Sequence, residues 1–269
     1  MGRIADRFEQ LRRQGRKGFI PFVTAGDPDL ETSLAIVLKL AELGADVIEL
    51  GVPFSDPMAD GPTIQRSSQR ALANGVRPAD VLDLARQARA QTDAPIVLFS
   101  YLNPLLRQGF GDVAQSAADA GIDGVLITDA VDDEAAELSR TLRGVGLDLI
   151  SLLAPTTSDE RLERIATSAS GFLYAISRAG VTGATQDLGS EAEKLVERAR
   201  KFRDLPVAVG FGISRRDHIV DVWRYADAAV VGSAIVSEIE NSGPEQAVDA
   251  VEAFVRSILP QFAKSGAEL

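Results

Sequence analysis

The chain has 269 residues, 45% of them hydrophobic, with 39 acidic against 28 basic side chains and a net charge of −11. That is enough apolar material for one large core, the acidic balance argues against nucleic acid as a partner, and no run of about 18 apolar residues offers a membrane span. There is no Cys and a single His, His218, which excludes disulfides, thiol catalysis and thiolate metal ligation. The usual donor set for zinc is missing; an all-carboxylate metal site stays open. Met1 to Asp6 contains no apolar signal core, and Asp6 stands where a myristoylation signal has Ser or Thr, so the expected setting is the cytoplasm.

In chain order the pattern alternates strand and amphipathic helix. Ile4 to Gln14 reads as a leading helix with Ile4, Phe8 and Leu11 on one face. Gly18 to Val23 is the first strand, followed by Thr24-Ala25-Gly26-Asp27-Pro28 and a helix to Leu43 that Asp29 or Thr32 would cap. Val47 to Gly51 is the second strand. Its long exit, rich in Pro, Gly and Asp, holds a helical piece over Thr63 to Ala73. A helix from Pro78 to Ala90 precedes the third strand, Pro95 to Phe99, whose exit Ser100 to Leu105 is unusually apolar for a loop. Then come a helix over Val113 to Ala120, a strand over Gly124 to Ile127, a helix from Asp132 or Asp133 to Arg143, and a strand over Leu147 to Leu153. Ser158 would cap the next helix. Gly171 to Ala175 is the sixth strand, and a second long loop, Ile176 to Leu188, leads to a charged helix over Ser190 to Phe202. Pro206 to Val209 and Ala228 to Val231 are the last strands. His218 falls at a helix start between them, where a solvated side chain is expected rather than a catalytic base. A short helix (Ala234 to Glu240) and a final one (Glu245 to Leu259) close the chain.

Eight strands alternating with helices imply parallel strands joined by right-handed crossovers. An open doubly wound sheet and a closed barrel both satisfy that order; eight near-equal units favour closure. The expected architecture is a single-domain (β/α)8 TIM barrel over residues 1–269, with an extra N-terminal helix and a short helix after the eighth strand.

In such a barrel functional groups gather at the C-terminal ends of the strands. Thr24, Asp27, Glu49, Asn103, Asp129, Tyr174, Arg178, Thr182, Gly212, Gly232 and Ser233 fall there. Glu49 interrupts an otherwise apolar strand. Side chains alternate, so Val47 and Glu49 share one face and Ile48 and Leu50 the other. A carboxyl in apolar surroundings is pushed up in pKa, which lets it take and return a proton near neutral pH. Asp60 follows on a more polar loop and should stay ionised. Two carboxylates in unlike environments can divide proton transfer from charge stabilisation. Phe22, Phe99, Leu126, Tyr174 and Phe211 would wall an apolar pocket beside them. Gly183, Gly210, Gly212 and Gly232 lie on the last three strand exits, and Ser233 opens a short helix. Glycine allows close backbone approach and a helix N-terminus favours negative charge, so a phosphate site is expected there.

The run Glu49-Leu-Gly-Val-Pro-Phe-Ser-Asp-Pro-Met-Ala-Asp60-Gly-Pro resembles the signature of the tryptophan synthase alpha chain family. The resemblance extends through Phe22-Val-Thr-Ala-Gly-Asp-Pro28, Tyr101-Leu-Asn-Pro104, Ser177-Arg-Ala-Gly-Val-Thr-Gly183, Val209-Gly-Phe-Gly-Ile-Ser214 and Val231-Gly-Ser-Ala234. One departure is Ala130-Val131 after Asp129, where the family has a hydrophobic residue and Pro. The resemblance implies a lyase that cleaves indole-3-glycerol phosphate into indole and glyceraldehyde 3-phosphate. It gives Glu49 the proton-carrier role, Asp60 the indole N–H and the positive charge on the ring, and Thr182 the orientation of Asp60 as its loop closes. It implies no cofactor in this chain, and a beta-chain partner that carries pyridoxal phosphate, in an alpha2-beta2 complex. Pro53, Phe54, Pro57, Asn103 and Pro104 match the family's docking loops. Rival readings are a free-standing lyase of the same substrate, a phosphosugar-acting enzyme on the same scaffold, and a non-catalytic activating subunit.

Overall fold

A computed structural model describes residues 2–107, 109–130, 132–176, 187–210 and 212–260. Eight parallel strands close into a barrel in sequence order. They are β1 (Gly18–Thr24), β2 (Ile48–Gly51), β3 (Ile96–Ser100), β4 (Gly124–Ile127), β5 (Asp148–Leu153), β6 (Leu173–Ile176), β7 (Val207–Gly210) and β8 (Ala228–Val231). The helices are α1 (Arg3–Arg13), α2 (Leu30–Glu42), α3 (Pro62–Ala73), α4 (Pro78–Arg89), α5 (Leu102–Leu106), α6 (Phe110–Asp119), α7 (Asp132–Gly144), α8 (Asp159–Ser168), α9 (Asp187–Arg200), α10 (Arg216–Val222), α11 (Ser233–Ser242) and α12 (Ala247–Ile258). Among the described residues no helix is long and apolar enough to cross a membrane.

Strand alternation sorts the apolar residues into two layers. Ile20, Val47, Val97, Leu126, Ile150, Ala208, Ala228 and Val230 point into the barrel, where α1 closes the floor with Ile4, Phe8 and Leu11. The Phe8 and Phe172 rings meet there at 5.7 Å. Ile48, Leu50, Ile96 and Leu98 point outward and pack against the helices. A floor filled from below leaves only the opposite rim free to hold a ligand.

Local chemistry fixes the ends. Asp29 caps α2 by accepting from Thr32 N–H at 2.7 Å, and Ser158 caps α8 by accepting from Arg161 N–H. At the barrel floor one device recurs in all four strand pairs. The residue shortly before each even strand accepts the N–H that starts the preceding odd strand: Asp46 from Phe19 (2.9 Å), Asp123 from Ile96 (2.9 Å), Ser170 from Leu149 (3.0 Å) and Asp227 from Val207 (2.9 Å).

Two local differences from expectation have visible causes. The apolar exit of β3 is a helix, α5, rather than a loop; the Asp129 carboxylate at the end of β4 accepts from Leu102 N–H at 2.7 Å and holds its first turn, while Leu102 and Leu105 are buried. The sixth strand starts at Leu173 instead of Gly171, because Gly171 has a positive φ of 69° and belongs to the preceding turn.

Candidate active site

The open rim surrounds a cavity of about 470 Å³. Its lining comes from the ends or exits of all eight strands: Phe22, Glu49, Phe99, Leu152, Tyr174, Ile176 and Val230 from the barrel wall; Ala59 to Ile64 from the β2 exit; Thr128 from the β4 exit; and Gly212, Gly232 and Ser233 from the last two exits.

Glu49 sits on β2 between Phe22 of β1 and Val97 of β3 in the ladder. It is only 1% exposed, and among the described residues neither carboxyl oxygen has a hydrogen-bond partner. Burial alone pushes it up to about 8, so near neutral pH it holds its proton. Asp60 arrives in the turn just before α3. Its backbone is pinned at both ends: its N–H donates to Pro57 O at 3.1 Å, and its carbonyl accepts from Gln65 at 2.9 Å. Its carboxyl is less solvated than a polar loop implied. Burial raises it to about 6, opposed by a hydrogen bond from the Tyr101 hydroxyl, so it still ionises before Glu49 does. That hydroxyl also accepts from Ala59 N–H at 2.9 Å. Tyr174 reports on both acids: its phenol is pushed up first by burial and then by the charges of Glu49 and Asp60.

The aromatic wall is built by close approach. The Phe22 and Phe99 rings meet edge to face at 5.1 Å and 74°. Gly51 leaves room for the Phe22 ring; a Cβ there would lie 2.6 Å from Phe22 Cζ. Gly210 does the same for Tyr174, whose hydroxyl occupies the space a Cβ would take.

Another part of the lining is anion-friendly. Gly232 is the N-cap of α11 and Ser233 its first residue, and Gly212 turns the β7 exit with a φ of 71°. All three line the same cavity as the carboxyls. Free N–H groups at the start of a ten-residue helix favour a phosphate.

Other expected residues do different work or lie elsewhere. Thr182, Gly183 and Phe211 lie outside the described residues, as does Arg178. Leu126 does not wall the pocket; it points inward one layer lower and packs in the sealed interior. Thr24 is bonded to Ser67 at 2.7 Å, Asp27 is held by Arg70, and Asp129 caps α5. His218 lies at the surface beside Arg215, away from the cavity lining. Of the expected docking residues, Pro53 is buried, Phe54 packs its ring on Tyr101 at 5.0 Å, Pro57 and Pro104 are half-buried, and Asn103 is exposed. Near them Met58 is 90% exposed and Leu106 50%.

Sequence reasoning missed Thr128, Leu152, Ile176, Val230 and Tyr101. Strand parity held the signal for two of them, since Leu152 follows Ile150 and Val230 follows Ala228 on the inward face. Tyr101 carried a weaker one, a phenol directly after a strand. Nothing local reveals that it reaches Asp60.

Comparison with known proteins settles the family. The tryptophan synthase alpha chain profile matches residues 8–263. The chain belongs to the tryptophan synthase alpha chain family. It is 47% identical to the alpha chain of Neisseria meningitidis serogroup A over 248 residues, covering 92% of this chain and 94% of the relative. The crystal structure of the alpha subunit from Legionella pneumophila str. Paris superposes with a TM-score of 0.88 at 38% identity, covering 96% and 97% of the two chains. That of tryptophan synthase from M. tuberculosis in its aminoacrylate-bound form does so with a TM-score of 0.85 at 33% identity, covering 96% and 100%. The family's chain is a lyase of tryptophan biosynthesis acting on indole-3-glycerol phosphate, and it carries no cofactor; pyridoxal phosphate belongs to the beta-chain partner.

Proposed function

We propose that the 470 Å³ cavity performs the family's step, the cleavage of indole-3-glycerol phosphate to indole and glyceraldehyde 3-phosphate, with Glu49 as proton carrier and Asp60 as charge stabiliser. Glu49 is neutral at the start and donates its proton to indole C3, leaving a positive charge shared with the ring nitrogen. Asp60, ionised, accepts the ring N–H and holds that charge. The Glu49 carboxylate then removes the proton from the side-chain hydroxyl. The O–H electrons form the aldehyde, the carbon–carbon bond breaks, and its electrons restore the aromatic ring. Glu49 ends as it began. Phe22, Phe99 and Tyr174 clasp the flat ring, and Gly212, Gly232 and Ser233 hold the phosphate; the family resemblance adds Gly183 to the phosphate site and Phe211 to the substrate pocket, and gives Thr182 the orientation of Asp60.

The observation that carries this reading is a buried Glu49, without a hydrogen-bond partner among the described residues, in one cavity with Asp60 and a helix N-terminus. The whole chain, residues 1–269, acts as one unit in the cytoplasm, and passes indole to the beta chain of an alpha2-beta2 complex docked over Phe54, Pro57, Asn103 and Pro104, with the buried Pro53 shaping the loop beneath. The test is indole release from indole-3-glycerol phosphate by the purified chain, with and without a beta chain. Indole formed by the parent and not by Glu49→Gln supports the reading, and turnover undiminished in the variant overturns it. Full activity without a beta chain would favour a free-standing lyase.

A further inference from the structure

Two helices present their N-termini to the cavity. α3 starts two residues after Asp60, and its first turn, Pro62 to Ile64, is part of the lining. α11 starts at the anion end with Ser233. Further along, the helices are joined by a charge cluster. Arg66 of α3 grips Glu240 of α11 through two bonds of 2.7 Å. Arg70, one turn on, donates to the same Glu240 at 2.8 Å and grips Asp27, on the β1 exit, at 2.7 and 2.9 Å. Asp27 is 1% exposed, so this end of the cluster is anchored in the body of the protein. Fork-to-carboxylate pairs fix direction as well as distance, which a single-point ion pair does not. Arg66 and Arg70 are one turn apart on α3, so a shared carboxylate on α11 resists both sliding and rotation of one helix against the other.

We propose that Glu240, with Arg66 and Arg70, is a positioning device that couples occupancy of the anion end to the placement of Asp60 at the ring end. None of the three lines the cavity. An anion drawn to the start of α11 is held by that helix. The cluster transmits the helix position to α3, and α3 carries the turn bearing Asp60. The proposal rests on the functional reading above for which ligand group goes to which end.

The test uses the two halves of the substrate as separate probes: sn-glycerol 3-phosphate for the anion end and indole for the ring end. Isothermal titration gives the affinity of each probe alone and in the presence of the other. Coupling must be reciprocal, so either order yields the same factor. In the parent, saturating glycerol phosphate is expected to tighten indole binding at least about fivefold, within the usual range for coupled sites. In Glu240→Gln each probe alone binds within about twofold of the parent, but the mutual enhancement falls to near one. Arg66→Lys keeps the charge and loses the fork, so it should retain only part of the enhancement; Arg66 is half exposed, which keeps this second variant foldable. Parent-like coupling in Glu240→Gln, or no coupling in the parent, overturns the proposal while leaving the site assignment standing. Equal weakening of both probes without change in their coupling assigns the cluster to stability alone and overturns it too. Failure of either probe to bind the parent removes the functional reading and this inference with it.

Discussion

At the scale of single residues, two carboxyls 11 positions apart in sequence are set to different proton affinities by two neighbourhoods. Glu49 accepts no hydrogen bond among the described residues, so desolvation acts unopposed and carries it to about 8. Asp60 has the Tyr101 hydroxyl, which favours the charged form and holds it near 6. The working state needs Glu49 protonated and Asp60 ionised. A profile of kcat/KM against pH for the parent should therefore be a bell, falling below about pH 6 and above about pH 8; a plateau continuing to pH 10 would reject Glu49 as the donor. Glu49→Gln should lose about 10²–10⁴-fold in kcat, the usual worth of a positioned acid–base group. Tyr101→Phe removes the bond that favours ionised Asp60 but keeps the ring against Phe54. Asp60 should then hold its proton to higher pH, moving the acid limb of the bell up by about one unit. An acid limb that stays in place would show that the hydroxyl does not tune Asp60.

At the scale of elements, the floor of the barrel divides into four strand pairs, each joined by a side chain that accepts a buried strand-start N–H. The four are unequal in burial. Asp46 is 2% exposed as a side chain, is held by Arg7 at 3.4 Å, and accepts Phe19 N–H. Asp227 is 32% exposed and meets Lys17 and Arg200 at the surface. Asp46→Ala strands a buried N–H and removes the carboxylate that Arg7 grips, so it should cost about 2–4 kcal/mol in urea denaturation. Asp227→Ala should cost about 1 kcal/mol, since water can replace the carboxylate. Equal losses would show that burial does not set the strength of these bonds. The same elements show what a sequence discloses. Strand number, strand order and the inward face of Glu49 were legible, because alternation and periodicity are local properties of a chain. The helix over Leu102–Leu106 was not, because its cap is Asp129, 27 residues away on the next strand exit. Leu126 looked like pocket wall for a related reason. Parity gives the face a residue points to, but not its height in the barrel, which depends on the stagger between strands. Tyr101 was hidden by distance too, since its partner Asp60 comes from a different exit.

At the scale of the whole molecule, the cost of the site should appear in the pH dependence of folding. Below about 4.5 the Glu49 carboxyl is protonated in both the folded and the unfolded chain, and contributes no slope. Between 4.5 and about 8 the unfolded chain releases that proton and the folded chain keeps it. The folded state then binds more protons, so stability falls as pH rises across this window; above about 8 both states are ionised and the loss is complete. The shift corresponds to roughly 2–5 kcal/mol, set against a total for a domain of about 5–15 kcal/mol. Burial also raises Asp27, Asp46, Asp60 and Asp148, all in the same direction, whereas the arginines hold Glu240 down to about 2 and make it a stabilising group at neutral pH. The Glu49 contribution is isolated by comparing the parent with Glu49→Gln in urea titrations at pH 5 and pH 8.5. At pH 5 both folded side chains are neutral and the loss from the unfolded glutamate has only begun, so most of the gap between the proteins reflects their packing. At pH 8.5 the parent alone must bury a charge without a partner, so the variant should gain a few kcal/mol on it. A gap that is the same at both pH values would mean that Glu49 ionises as easily inside the barrel as in the unfolded chain. It would then start the reaction as a base and have no proton to give to the indole ring.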